Sequence, residues 1–220
     1  PVAQPTFDDM SVLSLLLLVI LNWWVYWTIA IVGMVAMIVF ENLGGGKLKM
    51  NKLILPMTVV IVGVFMMVVN LDLQALKAGL PIEVLPSYQL STDVLMSALK
   101  EKPIFGYGLE NYSLAFDKYG AGALSDTNLA GARFFDSTAE ILTMIVSGGA
   151  VMVVALLFFF WSVAMVFWKY KGYAFTSGDQ EQVKEDIGVL ASFLAVLVAL
   201  FLYPFNLTLM MYLYVIMGLT

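Results

Sequence analysis

Apolar residues along this chain fall in long unbroken blocks, without the stripes of an amphipathic helix or the alternation of a half-buried strand. No charged residue occurs from Val12 to Phe40, a second block covers Leu53 to Leu71, and a third runs from Ile141 to Trp168. The last extends from Ile187 to Thr220. A helix needs about 20 apolar residues to cross a bilayer, so the blocks predict membrane spans. The first exceeds one hydrocarbon thickness and predicts a single tilted span with Trp23, Trp24, Tyr26 and Trp27 inside it; two spans would not fit. The last is too long for one crossing, and Pro204 with Asn206 splits it into two. The expected fold is an all-α membrane protein, a single polytopic domain with about five transmembrane helices at 12–40, 53–71, 138–168, 187–203 and 206–220. A long loop over about 72–137 joins the second span to the third.

Basic residues near span ends are retained on the cytoplasmic side. Lys47, Lys49 and Lys52 lie between the first two spans, and Lys169, Lys171 and Lys184 between the third and fourth. An even number of crossings separates these two loops, so both can be cytoplasmic. The acidic N-terminus (Asp8, Asp9), the long loop and the turn at Pro204 are then extracytoplasmic. The chain opens on Pro1 and closes on an apolar run, which predicts a fragment. The first block lacks a basic leader, so it is expected to stay in the mature protein.

The composition agrees with this class: 61% hydrophobic and 12% charged residues, against about half apolar and a quarter charged in soluble domains. The net charge of −5, from 11 basic and 16 acidic residues, argues against a nucleic-acid partner. Cysteine and histidine are absent, so disulfides, thiolate chemistry and the commonest metal ligands are excluded, though carboxylates could still hold a hard cation; no cofactor is expected.

The candidate chemistry lies in the long loop. Pro81 and Pro86 oppose helix at its start. Ser91 then reads as the N-cap of a short amphipathic helix, with Val94, Leu95, Ala98 and Leu99 on one face and Pro103 as its stop. That face either packs over the span ends or lies on the membrane surface. Gly106 and Gly108 in Pro103-Ile-Phe-Gly-Tyr-Gly108 permit a tight turn, which either approaches a phosphate with its amides or only joins two helices. A second short helix carries Tyr112, Phe116 and Tyr119 along one side. Phe105 and Phe116 are expected in the loop's core, while Tyr107, Tyr112 and Tyr119 are candidates for sugar contacts.

Arg133 is the sole arginine of the chain and immediately precedes the third span. Its planar fork suits a phosphate in a way that lysine cannot reproduce, and a helix start offers free amides to the same anion. The alternative is a structural arginine that pairs with Asp136 or reaches lipid headgroups. Ser137-x-x-Glu140 has the spacing of a capping box. A carboxylate there can also act as a base, and the two roles are compatible.

From about Glu83 to Val151 the chain resembles the O-antigen ligase and polysaccharide polymerase family, whose members carry a large extracytoplasmic loop between membrane helices. The resemblance rests on Leu85-Pro-Ser-Tyr-Gln-Leu-Ser with the helix that follows, Pro103-Ile-Phe-Gly-Tyr-Gly108, Arg133-Phe-Phe-Asp-Ser-Thr-Ala-Glu-Ile-Leu-Thr and Ser147-Gly148-Gly149. More loosely, Tyr203-Pro-Phe-Asn206 looks like the turn between two later spans. The first 80 residues lack any such likeness. The resemblance implies transfer of a glycan from undecaprenyl diphosphate to an acceptor hydroxyl, on a glycan or a lipid, at the outer face of the cytoplasmic membrane, without metal or nucleotide sugar. Arg133, with Lys118 and helix-end amides, would meet the diphosphate, and Asp136 or Glu140 would take the acceptor proton. The family's histidine before the following span is missing, which leaves three alternatives: a carboxylate base, a late proton transfer, or lost activity. A transporter or flippase component and an inactive envelope scaffold are the competing classes; no ionisable residue lies between the ends of any block, which weighs against transport.

Overall fold

The computed structural model describes residues 7–43, 50–69, 83–176 and 180–219. Among these every regular element is a helix, with no strand. Lys47, Lys49, Pro81 and the first part of the expected long loop lie outside the described residues. Two compact units form, one from 1–82 with 177–195 and the other from 83–176 with 196–220.

In the first unit, α1 (Phe7–Leu21) and α2 (Trp24–Leu43) are separate helices, where the sequence reads as one continuous span. Asn22 breaks the run with φ +35°, a left-handed conformation that asparagine tolerates better than most residues. Its side-chain oxygen accepts from Trp27 Nε1 at 3.1 Å, turning the indole back over the break. Helix α3 (Met50–Val69) contains Pro56 in its second turn. Gly63 of α3 gives Trp27 room to bury, since a Cβ there would stand 2.9 Å from the indole ring. At Gly33 a Cβ would lie 3.1 Å from that of Ala195, so small residues set a second close approach of backbones.

The second unit holds α4 (Tyr88–Glu101), α5 (Tyr112–Tyr119), a 3₁₀ turn at Ala121–Leu124, α6 (Glu140–Thr176) and α8 (Leu207–Leu219). Helix α7 (Gln180–Leu202) contributes its last residues. The N-cap of α4 is Ser87, whose Oγ accepts from the Leu90 amide at 3.1 Å, one turn earlier than the expected Ser91. Ser91 is buried instead, and its Oγ accepts from the Thr138 amide at 3.2 Å. Val94 and Ala98 pack with Tyr112, Ala115, Phe116, Phe134 and Val146 into one core, so the amphipathic face of α4 is used for packing. Phe116 meets Phe134 edge-on at 5.1 Å. Phe105, expected beside it, is 74% exposed.

Helix α6 is two helices joined at Gly149, which adopts φ 59° and ψ −148°, a region open essentially to glycine alone. The bend is sharp. The Glu140 amide donates to Tyr203 O while the Phe160 ring stacks on Phe201, and 20 residues of straight helix would hold those ends about 30 Å apart. Past the bend the helix runs beyond Trp168 to Thr176, where a loop was expected.

Among the described residues two segments are long and apolar enough to cross a membrane, Trp24–Asn42 and Glu140–Lys169. Leu53–Val69, Ile187–Leu202 and Leu207–Gly218 are shorter apolar helices. At about 1.5 Å per residue they measure roughly 18–26 Å, less than the hydrocarbon core of about 30 Å.

Candidate functional site

The residues leading into α6 and the turn between α7 and α8 enclose an open cleft of about 550 Å³. Arg133, Phe135 and Asp136 line one side, and Tyr203, Pro204, Phe205 and Asn206 another, with Glu83 at the rim. Local chemistry sets each wall. Pro204 ends α7, and Asn206 starts α8 by accepting the Leu209 amide on its Oδ1 at 2.9 Å. Tyr203 donates its hydroxyl to the Glu83 carboxylate at 2.7 and 2.9 Å, which ties the turn to the segment before α4.

Glu140 joins the two walls. It is 4% exposed, its amide donates to Tyr203 O at 3.1 Å, and its Oε2 accepts the Phe205 amide at 2.9 Å. The capping box does not form. The Ser137 amide donates to Thr143 Oγ1 at 3.0 Å, leaving the Glu140 carboxylate for a partner 65 residues away. Asp136 is near enough to Glu140 for their charges to interact, and burial pushes its own carboxyl above the usual aspartate range.

Arg133 pairs with Asp117 at 2.8 Å, and not with Asp136 as one reading of the sequence expected. Both partners are about half exposed; such a pair contributes only about 0.2–1 kcal/mol, so an anion in the cleft can displace Asp117 at little cost. The guanidinium also lies 5.7 Å from the centre of the Phe135 ring, which holds it over the cleft wall.

The remaining candidates gather elsewhere. Gly106, Tyr107, Gly108, Lys118 and Tyr119 do not line the cleft. The amides of Tyr107 and Gly108 donate to the carbonyls of Val146 and Ser147 at 3.0 and 2.8 Å, and that of Gly106 to Lys102 O. The glycine turn is therefore a docking element for α6, not a phosphate cradle. Lys118 pairs with Glu101 at 2.6 Å. Tyr107 donates to the same carboxylate oxygen at 2.8 Å, and Tyr119 donates to it as well. These donors, Lys118 first, hold the Glu101 carboxyl down at about 2. Tyr112 is fully buried, which excludes it as a sugar contact. Its hydroxyl makes no well-formed hydrogen bond, and desolvation raises it to about 12 against a smaller lowering by the Ser91 side chain.

Sequence reasoning placed Arg133, Asp136 and Glu140 together but missed Asp117 as the partner of Arg133, Tyr203 and Phe205 as those of Glu140, and Glu101 as that of Lys118. Tyr203-Pro-Phe-Asn206 was visible only as a turn; nothing in its composition announces a backbone amide aimed at Glu140. The described residues hold no cluster of three or more metal-ligating side chains. Compared with known protein families, curated proteins and solved structures, the chain matches none of them.

Proposed function

We propose that this chain is a multi-pass protein of the cytoplasmic membrane that transfers a glycan from undecaprenyl diphosphate to an acceptor hydroxyl at the outer face, in the manner of O-antigen ligases and polysaccharide polymerases. The observation that carries the reading is the cleft itself. It sets a displaceable arginine beside a carboxyl of raised basicity, next to a helix long and apolar enough to cross a membrane. In this reading five spans place residues 83–137 outside the membrane. Arg133 exchanges Asp117 for the diphosphate and balances the charge that grows on the leaving group. Asp136 takes the acceptor proton, because it faces the cleft and a carboxylate made more basic by burial is the better base. Glu140, buried and committed to the Phe205 amide, is a positioning residue that joins the turn to the start of α6.

The test is binding of an undecaprenyl-diphosphate glycan to the full-length protein in nanodiscs, with Arg133→Lys and Arg133→Ala. Both variants are expected to lose at least tenfold in affinity with folding retained, since lysine lacks the bidentate fork. Asp136→Asn is expected to bind normally and to lose transfer. Equal binding by all three proteins would make Arg133 structural and end the ligase reading.

A further inference from the structure

The polar half of α6 and its apolar half differ in what surrounds them. Before the Gly149 bend, Glu140, Thr143 and Ser147 are buried. Beyond it, Val151, Val154, Leu157, Phe158 and Trp161 are exposed. No charged residue occurs between Val151 and Trp168, a run of about 27 Å at 1.5 Å per residue, close to the thickness of a hydrocarbon core. The uncharged run begins at Ile141, but the exposed part of the helix begins only beyond the bend at Gly149.

The loop tip is fastened at that same boundary. The Ala150 amide donates to Pro103 O at 2.8 Å and the Val151 amide to Ile104 O at 3.2 Å. These bonds hold the tip at the first turn of the apolar helix, yet its own large side chains face outward, with Phe105 74% and Leu109 76% exposed and Ile104 also exposed. The bond from Val151 to Ile104 O puts this apolar tip beside the start of the exposed apolar helix. Two exposed lysines, Lys100 and Lys102, and two exposed glutamates, Glu101 and Glu110, flank the tip, and Lys102 Nζ sits 4.4 Å from the Tyr107 ring centre. An apolar tip with a mixed charged rim fits an interface in which the apolar groups enter the acyl boundary and Lys100 and Lys102 meet phosphates, while Glu101 is already neutralised by Lys118.

We propose that Ile104, Phe105 and Leu109 insert into the outer-leaflet interface of the bilayer and anchor the 83–148 region to the lipid surface at the level of Gly149. This rests on the membrane reading above. The partner is the phospholipid bilayer, which already has to cover the adjoining helix. Insertion fixes the height of the region above the lipid, so a lipid-linked donor reaches it from the membrane plane.

Residues 1–220 contain no cysteine, so each introduced cysteine is the single labelling site within them. Phe105→Cys, Leu109→Cys, Leu157→Cys and Asp126→Cys, each spin-labelled in the full-length protein in phosphatidylcholine–phosphatidylglycerol vesicles, report collisions with oxygen, which concentrates in lipid, and with a water-soluble nickel chelate. Labels at 105 and 109 are expected to show an oxygen-to-nickel ratio several-fold above that at 126 and below that at 157. Water-like ratios at 105 and 109 with a lipid-like ratio at 157 would overturn the anchor and leave the membrane reading intact. Protection at 105 and 109 from both reagents would mean that protein covers the tip, which also overturns it. A water-like ratio at 157 would bring down the membrane reading and the anchor with it.

Discussion

Replacing Gly149 by alanine probes the joint between the loop and α6. A Cβ at this position would stand 2.6 Å from Gly106 N and 2.6 Å from Ile104 O, both backbone atoms that cannot swing aside. Alanine would also occupy a backbone region that costs a non-glycine residue about 1–3 kcal/mol. Moving the loop away breaks four backbone hydrogen bonds, from Tyr107, Gly108, Ala150 and Val151, at about 1 kcal/mol net each. The loss is on the order of 5–7 kcal/mol, or roughly 10–30 °C in melting temperature for a chain of this size. The other glycines supply the controls. Gly106→Ala should match it, because a Cβ there would meet Gly149 N at 2.7 Å. The double variant should cost far less than the sum, since one displacement relieves both clashes. Gly131 has φ +81° but open space around it, so alanine costs only the conformational term of about 1–2 kcal/mol. Gly122 has neither constraint, and Gly122→Ala should be neutral or slightly stabilising. The assay is thermal unfolding in detergent, with proteolysis of the loop as a local readout. A melting temperature for Gly149→Ala within 2–3 °C of wild type would refute the reasoning, as would simple additivity with Gly106→Ala.

Glu140→Ala strands the buried Phe205 amide and should destabilise the protein by about 1–3 kcal/mol, whereas Glu140→Gln keeps an acceptor and should cost less than half of that; equal melting temperatures for the two would remove the hydrogen bond from the account. Tyr112→Phe deletes a buried hydroxyl that makes no well-formed hydrogen bond and should leave the melting temperature unchanged or raise it by a few degrees, with glycan binding unaffected. Glu101 is held at about 2 by Lys118, Tyr119 and Tyr107. Its folded value lies below the ordinary one of 4.5, so its contribution is present above pH 4.5 and lost as the pH falls towards 2. The melting-temperature advantage of wild type over Glu101→Gln should therefore narrow across that window, and a gap constant from pH 7 to pH 2 would show that Glu101 is not the group concerned.

Features that depend on local chemistry were legible in the sequence. The apolar blocks gave the helical class, Val94 and Ala98 gave the packed face of α4, and Pro204 with Asn206 gave the last turn. Arg133, Asp136 and Glu140 stood out because they crowd one helix start. Local reasoning failed where a distant partner outbid a near one. Ser137-x-x-Glu140 has every mark of a capping box, yet Thr143 takes the Ser137 amide and Phe205 takes Glu140. Asn22 sits inside an uncharged run that reads as one span, and only its side-chain bond to Trp27 shows that the run is two helices. Gly106 and Gly108 advertise amides for an anion, but α6 presents carbonyls to those amides because it is broken at Gly149, and no spacing rule predicts that break.

The bond between Glu140 and Phe205 also bears on the order in which the protein is made. Arg133 and Asp136 emerge from the ribosome some 70 residues before Tyr203, Pro204 and Phe205, so the cleft has one wall for much of the chain's synthesis. During that interval Glu140 lacks the amide that will receive it and must stay hydrated or borrow another donor. Completion of the site is therefore tied to the arrival of the turn at 203–206, and a nascent chain shorter than this carries the candidate residues without the pocket they are meant to share.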